Sequence, residues 1–116
     1  LNYGHTIGHA IETATGYGRY LHGEAVALGM VLEAQLAAAL GLLAEPVVSR
    51  IRAIMNAYGL PSVLPPELRG DRLLRPMRLD KKAVAGELRF ILPEDIGRVR
   101  IERRVLMEAI GRVLGR

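Results

Sequence analysis

All three histidines of the 116-residue chain stand in its first 22 positions, at 5, 9 and 22. His5 and His9 are four residues apart, so on a helix they share a face, and imidazole is a common ligand for zinc-like divalent ions. His22 follows a glycine-rich turn, from which the chain can double back and bring it beside the other two. On spacing alone the simplest reading makes His5 and His9 both ligands, with His22 brought beside them. The residues equally allow no ion at all, because histidine pairs at this spacing also pack and hydrogen-bond without metal. With no cysteine in the chain, disulfide frameworks, zinc ribbons and thiol catalysis are excluded, and a metal site must use His and carboxylate. Thr6 stands where a thermolysin-type motif would have Glu, which disfavours a zinc protease. Gly4 and Gly8 each cost roughly 1 kcal/mol relative to alanine inside a helix. Close approach of a ligand, or tight packing against another backbone, would account for them.

A second charged group, Asp80-Lys81-Lys82, falls between a predicted helix and a predicted strand. A lysine there could meet a phosphate or carboxylate as a point charge, or the trio could be a solvated junction. No glycine-rich phosphate loop follows a strand, so the chain shows no nucleotide site of its own. Tyr3, Tyr17, Tyr20, Tyr58 and Phe90 do not interleave with basic residues as a nucleic-acid stacking surface would, and are expected in the core or at its rim. The balance of 16 basic to 12 acidic residues gives a net charge of +4, which favours anionic partners only weakly.

The elements that must position these residues read as mostly helical. A first helix over Tyr3 to about Ala14, capped by the Asn2 side chain, puts Ile7 and Ile11 on one face and is broken by Thr15 to Gly18. A second runs from Gly23 to Leu40 and stops at Gly41; it is apolar almost all round through Leu32, as a central helix is, with Gly29 permitting close contact. A third follows Pro46 and ends at Tyr58. A short helix over Pro66 to Arg69 and another over Asp71 to Leu79, shortened or kinked by Pro76, come next. Alternation predicts strands over Glu87 to Leu92, stopping at Pro93, and Arg98 to Ile101, before a last helix over Glu102 to Leu114 with Val105, Leu106, Ile110, Val113 and Leu114 on its stripe.

The longest apolar stretch, Ala25 to Leu32, is stopped by Glu33 and Gln35, well short of the roughly 18 to 20 residues that cross a bilayer, so no membrane partner is expected. The chain starts at Leu1 with no visible secretory leader and reads as a piece of something longer, folded as one domain over residues 1–116.

Three strings, taken in order, go further. Leu1-Asn2-Tyr3-Gly4-His5-Thr6-Ile7-Gly8-His9-Ala10-Ile11-Glu12, then Leu21-His22-Gly23-Glu24-Ala25-Val26 with Gly29-Met30, then Asp80-Lys81-Lys82 with Gly86 and Leu88 to Pro93, together resemble the carboxyl-terminal domain of the 3-dehydroquinate synthases. The resemblance implies a mainly α, multihelical domain with a minor two-stranded β hairpin, the NAD-binding α/β domain of the family being absent here. It implies part of a carbon-oxygen lyase of the shikimate pathway, which converts 3-deoxy-D-arabino-heptulosonate 7-phosphate to 3-dehydroquinate with transient use of NAD and a divalent metal, Zn2+ or Co2+. Carried over by position, His5 and His22 match the histidine metal ligands, and the third ligand is a glutamate outside this chain. Asn2 matches a substrate-binding asparagine, His9 a catalytic proton-transfer group, and the Lys81-Lys82 pair contains a substrate-binding lysine. A cytoplasmic homodimer binding a small phosphorylated keto acid, with no nucleic-acid partner, is the expectation that follows. Rival readings are another sugar-phosphate cyclase, such as a 2-deoxy-scyllo-inosose synthase, and a non-catalytic helical interaction module; iron-type and glycerol dehydrogenases match the strings less well.

Overall fold

The most apolar segment of the sequence lies at the centre of the molecule, which is described here by a computed structural model covering residues 2–83, 89–102, 105 and 107–115. Helix α2, His22–Ala39, buries Ala25, Leu28, Val31, Leu32, Ala34, Leu36 and Ala37 on successive faces. It packs against α1 (His5–Thr15), α3 (Glu45–Ala57), α5 (Met107–Leu114) and strand β1 (Phe90–Asp95), while α4 (Asp71–Ala83) braces α1 and α5. A covering on several sides explains why the apolar residues of α2 form no single stripe. Among the described residues no helix is long and apolar enough to cross a membrane.

The ends of α2 and the start of α3 follow the sequence closely. Gly41 takes φ 78 after α2, and the N–H groups of Gly41 and Leu42 return to the carbonyls of Ala38 and Ala37, satisfying the last acceptors. Glu24 Oε1 accepts the Leu21 N–H at 2.8 Å at the other end. Pro46 lies in the first turn of α3, where its missing N–H has no helical partner to lose. A single 3-10 turn, Pro66–Leu68, leads to α4.

Four expectations about element boundaries, and one about aromatic residues, are corrected. Helix α1 begins at His5, not Tyr3, and no side chain of its own caps it: Gly4 occupies the N-cap at φ 87, a left-handed angle that glycine adopts without strain. Helix α4 passes through Pro76 and continues to Ala83, so Lys81 and Lys82 belong to its last turn rather than to a junction. The proline removes one N–H, but Leu73, Leu74 and Met77 are buried around it, and that burial holds the helix together. Strand β1 runs past Pro93 to Asp95, pairing antiparallel with β2 (Arg98–Glu102) through an irregularity between Pro93 and Asp95. In a two-stranded sheet every strand is an edge, which accommodates a proline. Helix α5 starts at Met107, because Glu102 is the last residue of β2. The predicted strand residues Glu87 and Leu88, and Leu106 of the predicted stripe, lie outside the described residues. On the inner side of the hairpin, Phe90 and Leu92 are fully buried, and Ile110 and Leu114 of α5 join the same core. Of the aromatics expected in the core or at its rim, Tyr17 and Tyr58 are instead exposed.

Candidate functional site

The α1 and α2 helices come together through glycines. A Cβ on Gly29 would fall on the Gly4 carbonyl oxygen and 2.7 Å from the Gly8 nitrogen; one on Gly4 would sit 2.6 Å from Met30 Cγ and 2.8 Å from the Val26 carbonyl. Gly4, Gly8 and Gly29 are therefore packing glycines, which decides between the two accounts of the first two. The contact brings the start of α1 against α2 and sets two imidazoles beside each other. The His5 and His22 rings lie 5.4 Å apart between centroids, at an interplanar angle of 66°.

Both rings have their Nδ1 atoms turned toward acceptors. His22 Nδ1 is 3.1 Å from Glu12 Oε2, and His5 Nδ1 is 3.4 Å from the Tyr3 carbonyl. A carbonyl cannot donate, and an ionised carboxylate only accepts, so in each contact Nδ1 carries the hydrogen. The Nε2 lone pair is then left for a ligand, the arrangement in which a second group orients a metal-binding imidazole. The Glu12 side chain is mostly buried whereas His22 is largely exposed, so the carboxylate is fixed and the ring is accessible. The pair fits a divalent ion as two of its ligands. Among the described residues no group of three or more His, Cys, Asp or Glu gathers that could hold a metal ion.

His9 does not join the pair. It is exposed one turn further along α1, and its ring lies 6.4 Å from that of Tyr17. Asn2 is exposed just before the helix, with its carbonyl accepting the His5 N–H at 3.1 Å. The side chains of Lys81 and Lys82 lie outside the described residues. Further along the chain, Thr6 Oγ1 donates to the Arg89 carbonyl at 2.7 Å, so the backbone just before β1 returns to the first turn of α1.

Two carboxylates shape this corner without any motif that marks them. One is Glu12, inside the first string but without a role assigned from sequence. The other is Glu33, fully buried in α2, whose Oε1 accepts the Gly4 N–H at 2.9 Å and whose Oε2 accepts the Ile7 N–H at 3.0 Å. Burial pushes the Glu33 carboxyl up to about 8 against the opposing pull of those two N–H groups. Burial, with Glu33 nearby, also raises the Tyr3 phenol, whose hydroxyl donates to the Met30 carbonyl at 2.6 Å. An acid in the middle of an otherwise apolar stretch of the central helix, well past Glu24 in its first turn, was the available sign of Glu33. An apolar groove of about 300 Å³ between Tyr3, Met30, Ile51, Ile54 and the hairpin tip borders this corner through Tyr3 and Met30 but is lined by none of the three histidines.

The sequence profile described as 3-dehydroquinate synthase C-terminal matches residues 1–83. The chain belongs to that family. Among curated relatives of the family, the 3-dehydroquinate synthase of Thermodesulfovibrio yellowstonii is 46% identical over 98% of this chain and 32% of its own length. That of Crocosphaera subtropica is 49% identical over 98% of this chain and 31% of its own length. The chain thus spans about a third of the length of these relatives. Two solved structures share the fold at a TM-score of 0.81 over 97% of this chain. One is a 2-deoxy-scyllo-inosose synthase complexed with carbaglucose-6-phosphate, NAD+ and Co2+, 30% identical, with 32% of its chain covered. The other is a 2-epi-5-epi-valiolone synthase from Streptomyces hygroscopicus with NAD+ and Zn2+ bound, 31% identical, with 31% of its chain covered.

Proposed function

We propose that this chain is the carboxyl-terminal, metal- and substrate-holding part of a 3-dehydroquinate synthase. The parent polypeptide would convert 3-deoxy-D-arabino-heptulosonate 7-phosphate to 3-dehydroquinate and phosphate, with NAD held mainly by a separate α/β domain. The observation that carries the reading is the meeting of His5 and His22 from two helices with both Nδ1 atoms facing acceptors. His5 and His22 would hold Zn2+ or Co2+ through their Nε2 atoms. When bound, the metal supplies Lewis acidity that lowers the pKa of a substrate hydroxyl.

The chain's own residues then bind, orient and move protons. Glu12 keeps the His22 ring in the tautomer that can ligate. Asn2, exposed beside His5, offers its amide to substrate oxygens. A ring nitrogen of the exposed His9 takes the proton of the reacting hydroxyl and returns it. An ammonium from the Lys81-Lys82 pair meets the substrate's phosphate or carboxylate as a point charge. The reading extends to a homodimeric, cytoplasmic parent enzyme.

The test is NAD-dependent phosphate release by the parent polypeptide. Release from the seven-carbon keto acid phosphate, cut about 100-fold or more in kcat by His9→Ala, is expected. The second reading, a cyclase of another sugar phosphate, is favoured by the two solved structures, one of which holds a glucose 6-phosphate analogue. The higher identity to the curated synthases supports the first. Release from glucose 6-phosphate and none from the keto acid would replace the first reading with the second.

A further inference from the structure

A helix start leaves its first N–H groups without internal partners, and a local Ser, Asp or Asn side chain ordinarily accepts from one of them. In α1 that task falls to a residue from another helix. Glu33 reaches from α2 with both oxygens, one to Gly4 and one to Ile7, and these two positions bracket His5. The same stretch is tied to α2 a third time through the Tyr3 hydroxyl on the Met30 carbonyl, above the Gly4–Gly29 contact. His22 stands eleven residues before Glu33 on α2, close to three full turns, so both project from the same side of that helix. One helix therefore carries one imidazole of the pair and also grips the backbone that carries the other. A carboxyl group is a poor choice for merely filling this buried position, where an apolar side chain would fit the surrounding core without desolvating polar oxygens.

We propose that Glu33 is a positioning residue for the metal pair: by holding the Gly4 and Ile7 N–H groups it fixes the orientation of the first turn of α1, and so the point at which the His5 ring meets that of His22. It touches neither metal nor substrate. The inference rests on the metal reading of His5 and His22 and adds the element that keeps their geometry.

The test is Co2+ binding to the parent polypeptide, followed by titration and by the visible absorption of the bound ion, which reports ligand geometry. Glu33→Gln keeps the shape but turns an NH2 toward one of the two donors. Glu33→Asp keeps the carboxyl group but is one methylene too short to reach both. At a temperature where the protein is folded, each is expected to weaken Co2+ about 10-fold and shift the absorption bands. Leu36→Ala, a buried change on the same helix, should lower Tm while leaving affinity and bands unchanged. Wild-type affinity and bands in whichever Glu33 variant folds would overturn the proposal. So would rapid exchange of the Gly4 and Ile7 amide hydrogens in the unsubstituted protein, a measurement that needs no variant. His22→Ala separates the two levels. If it binds Co2+ as the wild type does, the metal reading fails and this inference with it; if it loses Co2+ while the Glu33 variants do not, only the role of Glu33 is lost.

Discussion

Glu33 has a raised carboxyl pKa in the fold, about 8 against an ordinary value of 4.5, and this fixes the sign of a pH effect. The folded state holds the proton more tightly than the unfolded chain. Stability from this group is therefore fully present below about pH 4.5 and is lost as pH rises through about 8. Comparing Tm at about pH 5 and about pH 9, the wild type should lose at least about 1 kcal/mol more than Glu33→Gln, roughly 4 °C for a domain of this size. Equal losses in the two proteins would show that the carboxyl does not titrate as described. At this scale the sequence was legible where residue type and spacing carried the signal. His5, His9 and His22 were evident as candidates, and the doubling back that brings His22 to His5 was foreseeable from the glycine-rich turn. The bonds from Glu12 to His22 and from Glu33 to the start of α1 were not, because both join residues of different helices and depend on how those helices cross.

Among the elements, the helices were legible and their ends less so. The central place of α2 followed from its all-round apolar character, and its stop near Gly41 from the glycine. The start of α1 was misplaced because Asn2 offers a good local cap, whereas the cap is supplied across space by Glu33. Pro76 was given too much weight, since burial of Leu73, Leu74 and Met77 outweighs one missing hydrogen bond. The glycines yield a paired prediction. Gly29→Ala must push against the Gly4 carbonyl and the Gly8 nitrogen, both backbone atoms, and should destabilise by about 3 kcal/mol. Gly111→Ala in α5 meets nothing within 4 Å and should stabilise by up to about 1 kcal/mol. Denaturant unfolding of the two variants checks this: a harmless Gly29→Ala would mean that α1 and α2 are not in the tight contact on which the His5–His22 approach depends.

For the molecule as a whole, the mainly α fold was legible from helical periodicity and from family strings along most of the chain, and the small hairpin from alternation around Phe90 and Arg98 to Ile101. The third ligand that the resemblance implies is a glutamate outside this chain, and the described residues gather no group of three or more His, Cys, Asp or Glu that could hold a metal ion. The 116-residue chain alone should accordingly bind Co2+ at least about 100-fold more weakly than the parent polypeptide, a difference that titration calorimetry reads directly. The most direct measurement is X-ray absorption at the cobalt edge of the Co2+-loaded parent, which counts imidazoles from their multiple-scattering pattern. Two should be seen in the wild type and one in either His5→Ala or His22→Ala. Two imidazoles persisting in His22→Ala would mean that this residue is not a ligand and that the meeting of the two rings is packing alone.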